Sequence, residues 1–189
     1  MSDKSDRPNV VLPALGRLMR GDRSAVMAFA GTPNAVLRSL VPLSALPVVS
    51  ALGPMSSGQL ARGLAAACAG ICSLLLPLIV THLLARWWKV EPYWMRYATA
   101  SNWCRLALAV ISVVALVGGI GLLGIPTPDN PLPFLPMVAT AFYGLWLHWF
   151  VAKHALRIGG LKAAFTVFAE GLCVVALFGV SIVVGRSSV

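Results

Sequence analysis

Five residues with chemically active side chains lie inside or at the edge of long apolar stretches of this sequence. They are Asn102, Arg105, Glu170, His82 and His148. An ionisable group at the centre of a membrane helix costs on the order of 2.5–3.5 kcal/mol, so such groups usually face other helices and find partners. We expect Arg105 to pair with Glu170, because a guanidinium can donate two parallel hydrogen bonds to a carboxylate. We expect Asn102 to cap or bridge that pair.

This polar cluster could serve structure or function. One reading is a structural lock between two helices, and the other is a pocket for a proton, an ion or a lipid headgroup. His82 and His148 belong to different segments at similar predicted depth, which is the minimum needed for a bis-histidine b-type haem. Any two histidines near one interface meet that condition, so we favour ordinary interfacial histidines over haem.

No sequence motif points to catalysis. The chain has no phosphate-binding glycine loop, no His-Glu-x-x-His helix and no Gly-x-Ser-x-Gly elbow. Its four cysteines, Cys68, Cys72, Cys104 and Cys173, form no pair spaced by two residues, so we interpret them as small packing residues. We therefore predict a protein that is not an enzyme, with no catalytic residues, no metal site and no cofactor.

The composition is that of a membrane protein. Of the 189 residues, 58% are hydrophobic and only 11% are charged, whereas a soluble domain has about a quarter charged residues. The net charge of +9 comes from cations scattered between hydrophobic runs, which argues against a nucleic-acid partner. After Lys4 and Arg7 the sequence has no clear signal-peptide core, so we expect the first hydrophobic span to remain in the protein.

Five segments approach the roughly 20 apolar residues that a helix needs to cross a bilayer. The sequence therefore predicts an all-α polytopic bundle, with a cytoplasmic N-terminal segment at 1–30 and a transmembrane domain at 31–189. The first span contains Arg38, Pro42 and Pro47, so we expect it to be kinked, and a re-entrant hairpin is the alternative. The predicted spans are 34–53, 62–85, 100–125, 134–153 and 161–185.

Helical periodicity assigns a packing face to each of the last four spans, because membrane helices approach closely along small or polar stripes. The predicted faces are Ala61, Ala65, Cys68 and Cys72 in span two; Ser101, Arg105, Leu108, Ser112, Ala115 and Gly119 in span three; Met137, Ala141, Gly144, His148 and Ala152 in span four; and Thr166, Glu170, Cys173 and Ser181 in span five.

The distribution of basic residues predicts the orientation. All but two of the 15 lysines and arginines lie on one side of the predicted spans, and only Arg62 and Arg186 lie on the other. Positive residues are retained on the cytoplasmic side of a membrane. We expect the N-terminus in the cytoplasm and the C-terminus on the opposite side of the membrane.

Aromatic residues mark the same boundary. All six tryptophans lie near the predicted cytoplasmic ends of the spans, where amphipathic rings anchor a protein at the headgroups. They are Trp87, Trp88, Trp94, Trp103, Trp146 and Trp149.

Residues 10–28 have the pattern of a short amphipathic helix. Val11, Leu15, Leu18 and Met19 fall near one helical face, and arginines occupy the others. Such a helix can lie in the membrane interface. The competing interpretation is a basic surface that binds an acidic partner.

Three stretches resemble a known group of proteins. "RLMRGDRSAVMAFAGTPNAVLRSLVPLSALPVV" (17–49), "YATASNWCRLAL" and "LHWFVAKHAL" resemble a group of uncharacterised bacterial inner-membrane proteins. The five-span layout is also similar to that of the Yip family, whose eukaryotic members work with Rab GTPases in membrane traffic. This chain lacks the long acidic N-terminal region of many Yip proteins, so no Rab-like partner is inferred.

These observations predict a non-enzymatic inner-membrane protein that packs against lipids and other membrane subunits. It would be an accessory subunit of a larger complex or a membrane-organising factor. The alternative is a small transporter or channel that uses a polar pocket around Arg105 and Glu170, and a haem-bearing electron carrier is the third possibility.

Overall fold

The protein is an all-α bundle, as predicted. The computed structural model describes residues 8–127 and 130–186, and the side chains of 10–127 and 130–177. These ranges contain no β-strand, only one isolated bridge between Thr127 and Asn130. The helices are α1 (Pro8–Met19), α2 (Pro33–Leu43), α3 (Ala45–Ser56), α4 (Leu60–Trp87), α5 (Glu91–Leu123), α6 (Leu135–Ala155) and α7 (Gly160–Arg186), with 3-10 turns at Arg23–Ala28 and Leu132–Phe134.

The described part of the chain has five segments long and apolar enough to cross a membrane, which confirms the five-span prediction. They are Pro33–Ser56, Leu60–Trp87, Glu91–Leu123, Leu132–Ala155 and Gly160–Leu177. The third begins well before residue 100, the predicted start. Glu91 and Pro92 occupy its first turn, where an acidic side chain suits the helix dipole and proline loses no hydrogen bond.

The first span is broken into α2 and α3 at Ser44, in agreement with the predicted kink. Pro42 and Pro47 flank this position and cannot donate to the carbonyl one turn earlier. Ser44 supplies local hydrogen bonds, since its N–H donates to Leu40 O at 2.9 Å and its hydroxyl donates to Val41 O at 2.7 Å. Ser44 thus supplies donors to two carbonyls beside the break, which lowers the cost of the break in a membrane span.

The helices form a closed ring. α3 packs on α4, α4 on α7, α7 on α6, α6 on α5, and α5 on α2. The α4–α5 and α6–α7 turns lie at the same end as the six tryptophans, which we call the tryptophan end. This arrangement brings residues from four helices together in one half of the bundle.

The hydrophobic core is concentrated at the tryptophan end. Tyr97, Cys104, Leu147, Val151 and Leu156 are fully or almost fully buried there. Towards the opposite end fewer side chains are buried, and the exposed residues of α5 include Val110, Val113 and Val117.

Two of the predicted packing faces differ from the structure: the face of α6 is wrong in part, and the face of α4 is wrong throughout. In α6, Gly144 and Ala152 are buried as predicted, but Met137 and Ala141 are exposed. In α4, the four residues of the predicted face are exposed, including Cys68 and Cys72. The α4 glycines Gly63 and Gly70 instead approach α3, because α3 lies on the glycine side of α4. The α5 face and the α7 residues Thr166, Glu170 and Cys173 agree with the prediction, and Ser181 lies outside the described side chains.

The amphipathic N-terminal helix packs on protein. Val11, Ala14, Leu15 and Leu18 of α1 belong to the main core beneath α5 and α6. Val10 and Leu12 face outward. The apolar face predicted to lie in the membrane interface is therefore used to cover the tryptophan end of the bundle.

Candidate functional site

The predicted ion pair is present and joins α5 to α7. Arg105 Nη2 donates to Glu170 Oε2 at 3.0 Å. Glu170 is 6% exposed, and a charge this deeply buried is stable only when paired and hydrogen-bonded. The face analysis succeeded here because each residue lies on the small or polar side of its helix.

Tyr97 completes the site, and the sequence analysis did not identify it. Its hydroxyl donates to Glu170 Oε1, so both carboxylate oxygens accept a hydrogen bond from α5. Tyr97 lies two helical turns before Arg105, on the same face of the helix. The spacing from Arg105 is compatible with this contact, but tyrosine is common near membrane boundaries, so no signal in the sequence assigned Tyr97 to Glu170.

Asn102 does not cap or bridge the pair, so this part of the prediction is wrong. Its Nδ2 donates to Ser39 Oγ at 2.9 Å, and Ser39 Oγ donates in turn to Val36 O at 2.7 Å. Asn102 is fully buried, and its Oδ1 accepts no hydrogen bond from the described residues. Asn102 is directed towards α2, which packs on α5 and supplies Ser39 as its partner.

The two histidines lie in different environments. His148 Nδ1 is 2.8 Å from Gly144 O, and the ring is close enough to Arg105 and Glu170 to interact electrostatically with both. His82 packs edge-on against Trp94, with ring centroids 4.7 Å apart, and its Nε2 is 3.8 Å from Glu91 Oε1. No hydrogen bond or ring contact joins the two rings in the described part of the chain. This arrangement gives no support to a bis-histidine haem.

Four tryptophans at this end contribute to helix packing. Trp94 Nε1 donates to Thr81 Oγ1 at 3.2 Å, which joins α5 to α4, and Trp149 Nε1 donates to Gly160 O at 2.9 Å, which joins α6 to α7. Trp103 packs on the core, and Trp146 stacks on Phe150.

The α4–α5 turn holds the other two tryptophans. Trp87 is 73% exposed and stacks on Trp88. Trp88 lies below the Lys162 ammonium, which is 5.7 Å from the ring centroid. Trp87 is thus the most suitable of the six for anchoring at a membrane surface.

The N-terminal segment is fastened beneath these tryptophans. Tyr143 donates to Met19 O, and Arg96 Nε donates to Phe29 O at 3.3 Å. In the exposed turn after α1, Asp22 accepts from Arg17 Nε and from Ser24 N, both at 2.8 Å. Hydrogen bonds from Ser24 and Arg17 lower the pKa of Asp22 from 3.8 to about 2.

The site is a buried, hydrogen-bonded contact between α5 and α7. Arg105 and Tyr97 donate to the two oxygens of one carboxylate, and no group of three histidine, cysteine or acidic residues suited to a metal ion occurs among the described residues. No known family, curated protein or solved structure matches this chain. The resemblance to Yip proteins therefore stays a prediction.

Proposed function

We propose that this integral membrane protein is a non-enzymatic accessory subunit that binds other proteins within the bilayer. The main support is that both oxygens of Glu170 accept hydrogen bonds inside the bundle, from Arg105 and Tyr97. A transported ion or proton binds to ionisable groups at membrane depth, and both oxygens of this carboxylate already accept hydrogen bonds from the bundle. The engaged carboxylate favours a lock between α5 and α7 over a transport site.

The outer surface supports lateral binding. An apolar groove of about 470 Å³ lies between α6 and α7, and Leu145, Phe168 and Leu172 line it. Side-chain ridges of one helix pack into grooves of another, and close packing is a main source of helix association in lipid. A partner helix would bury this surface.

The proposed location is the bacterial inner membrane, with the N-terminus in the cytoplasm and the C-terminus in the periplasm. The support is the asymmetry of charge, because Arg62 and Arg186 are the only basic residues assigned to the far side. On this orientation the tryptophan end faces the cytoplasm.

Co-purification tests the proposal. The tagged protein would be expressed at its native level, extracted in mild detergent, and every retained polypeptide quantified by mass spectrometry. We expect a stoichiometric partner, and we expect Ala164→Phe, which fills the α6–α7 groove, to reduce its recovery about tenfold, the equivalent of about 1.4 kcal/mol. Ala69→Phe, in a separate groove between α3 and α4, is the matched control and should retain the partner. Recovery of the wild-type protein alone would contradict the accessory-subunit proposal.

A small transporter is the second candidate. It is favoured by Asn102 Oδ1, a buried acceptor without a partner among the described residues, and by His148 beside the ion pair. Labelling of Glu170 by a water-soluble carbodiimide in sealed vesicles would support it. If the carbodiimide labels Glu170 from neither side of the membrane, the transporter proposal is contradicted.

A further inference from the structure

A second groove lies between α3 and α4 and differs from the α6–α7 groove in its charge. Its volume is about 520 Å³, and small residues such as Ala65, Ala66 and Ala69 form much of its wall. Arg62 also lines it, whereas the lining of the α6–α7 groove contains no cation. A cleft of this size with one charged group has the make-up of a ligand site.

Close helix contacts flank the groove and explain its shape. A side chain at Gly70 would come within 2.8 Å of Pro47 Cβ, and one at Gly63 would meet Met55. The backbones of α3 and α4 are therefore nearly in contact at two points. The alanines of α4 are too small to fill the space beside them.

The groove is apolar along its length because its two serines are engaged elsewhere. Ser50 donates to Pro47 O at 2.8 Å and Ser73 donates to Gly70 O at 2.7 Å. Both hydroxyls thus bond to their own helices, one turn earlier in the chain. The groove interior offers van der Waals contact and little hydrogen bonding.

Arg62 gives the groove one polar end. It lies in the first turn of α4, where the positive end of the helix dipole adds to its charge. Its Nη1 donates to Gln59 Oε1 at 2.8 Å, and this is its one side-chain hydrogen bond in the described part of the chain. A guanidinium has five N–H donors, so most of them remain available at the membrane surface.

We propose that the α3–α4 groove binds one acyl chain of an anionic phospholipid, with the lipid phosphate on Arg62. The apolar interior matches an acyl chain, and the guanidinium matches a phosphate at the end nearest the headgroups. The lipid comes from the leaflet opposite the tryptophan end. This site is independent of the proposed partner-binding role, which uses the α6–α7 groove.

Photo-crosslinking in vesicles tests the proposal. The full-length protein would be reconstituted in phosphatidylcholine with a trace of phosphatidylglycerol that carries a diazirine in one acyl chain. A parallel sample would contain phosphatidylcholine with the same labelled chain. Peptides covering residues 60–74 and 160–175 would be analysed by mass spectrometry for lipid adducts.

We expect the phosphatidylglycerol probe to label the 60–74 peptide about tenfold more than the phosphatidylcholine probe, the equivalent of about 1.4 kcal/mol. Both lipids carry a phosphate, but the choline cation of phosphatidylcholine is repelled by Arg62, whereas phosphatidylglycerol has a net negative charge. Arg62→Gln should abolish the preference but keep the fold. Ala69→Phe should remove labelling by both probes, and Ala164→Phe should leave the 60–74 peptide unaffected. Melting curves would establish that each variant is folded.

Three outcomes would overturn the proposal. The first is equal labelling of residues 60–74 by the two probes in the wild-type protein. The second is a phosphatidylglycerol preference that survives Arg62→Gln. The third is a protein–protein crosslink from α4 in place of a lipid adduct, which would mean that a second helix occupies the groove.

Discussion

Polar side chains in the tryptophan half of the bundle connect different helices. Glu170 joins α7 to α5 through Arg105 and Tyr97, and Asn102 joins α5 to α2 through Ser39. In lipid, a polar group without a partner is costly. These contacts therefore restrict which helix faces can meet, and they favour one arrangement of the bundle.

Removal of one partner of the ion pair should be more harmful than removal of both. Glu170→Leu leaves the Arg105 guanidinium unpaired, so we expect the free energy of unfolding to fall by about 3 kcal/mol. The double variant Arg105→Met with Glu170→Leu, made in a Tyr97→Phe background so that no buried hydroxyl loses its acceptor, should return to within about 1 kcal/mol of the wild type, because no buried charge remains. Denaturation in mixed detergent micelles, followed by tryptophan fluorescence, measures both values.

Arg86→Met is the matched control for this experiment. Arg86 is exposed in the last turn of α4, and we expect its replacement to change stability by less than about 0.5 kcal/mol. If the double variant were as unstable as Glu170→Leu, direct pairing of the two charges would not explain the cost.

The ion pair could be predicted from the sequence, but its surroundings could not. Arg105 and Glu170 are conspicuous because charges are rare in apolar segments and both lie on small or polar faces. Tyr97 and Ser39 carry hydroxyls that occur widely in membrane helices, so nothing in their local sequence assigns them a partner. Asn102 was misplaced because periodicity gives the angle of a side chain on its helix and not the identity of the neighbouring helix.

At the level of the helices, too, some features could be predicted from the sequence and others could not. The prolines predicted the break near Ser44, and apolar length predicted five spans. The packing side of α4 was missed because alanines, cysteines and glycines are all small enough for close contact. Gly63 and Gly70 lie on the packing side because α3 is located there, and the sequence of α4 alone does not give the location of α3.

Two glycines with different surroundings test how α3 and α4 pack. Gly70→Ala would place a methyl group within 2.8 Å of Pro47 Cβ, and overpacking of this kind costs about 1–3 kcal/mol. Gly118→Ala in α5 meets nothing within 4 Å, so it should be neutral or stabilise the helix by up to about 1 kcal/mol. Thermal unfolding of both purified variants measures the difference. Equal melting temperatures would contradict the close α3–α4 contact.

The turn after α1 should respond to acid. Because its hydrogen bonds lower the pKa of Asp22 from 3.8 to about 2, the contribution of Asp22 to stability is present above pH 3.8. It is lost as the pH falls through about 2. The protection of residues 17–24 from hydrogen exchange, corrected for the pH dependence of the intrinsic exchange rate, should decrease over this interval in the wild type. Asp22→Asn should exchange faster at neutral pH and lack the acid-dependent step, and an unchanged profile would show that the turn does not depend on the carboxylate.

The whole molecule has two dissimilar halves. At the tryptophan end, α1 and the core residues of α5 and α6 form a tightly packed and hydrogen-bonded layer. In the other half fewer side chains are buried, although α3 and α4 still pack closely at Gly63 and Gly70. The α3–α4 groove of about 520 Å³ lies in that half, and the α6–α7 groove of about 470 Å³ extends from Trp149 along the bundle. The packed layer therefore holds together helices whose outer grooves are left for other molecules, which suits a protein that acts by binding within the membrane.

The proposed orientation gives opposite predictions for the two ends of the bundle. Alkaline phosphatase is active only where its disulfides can form, so fusions after Gly58 and after Val189 should be active, and fusions after Lys89 and after Ile158 should be inactive. The physical reason is retention of basic residues, since the α4–α5 and α6–α7 turns carry Arg86, Lys89, Arg157 and Lys162. A cytoplasmic fluorescent reporter fused at the same four sites is the control and should give the reverse pattern. Active phosphatase after Ile158 would place the tryptophan end outside the cell, and the leaflet that supplies the anionic lipid to Arg62 would then be the inner one.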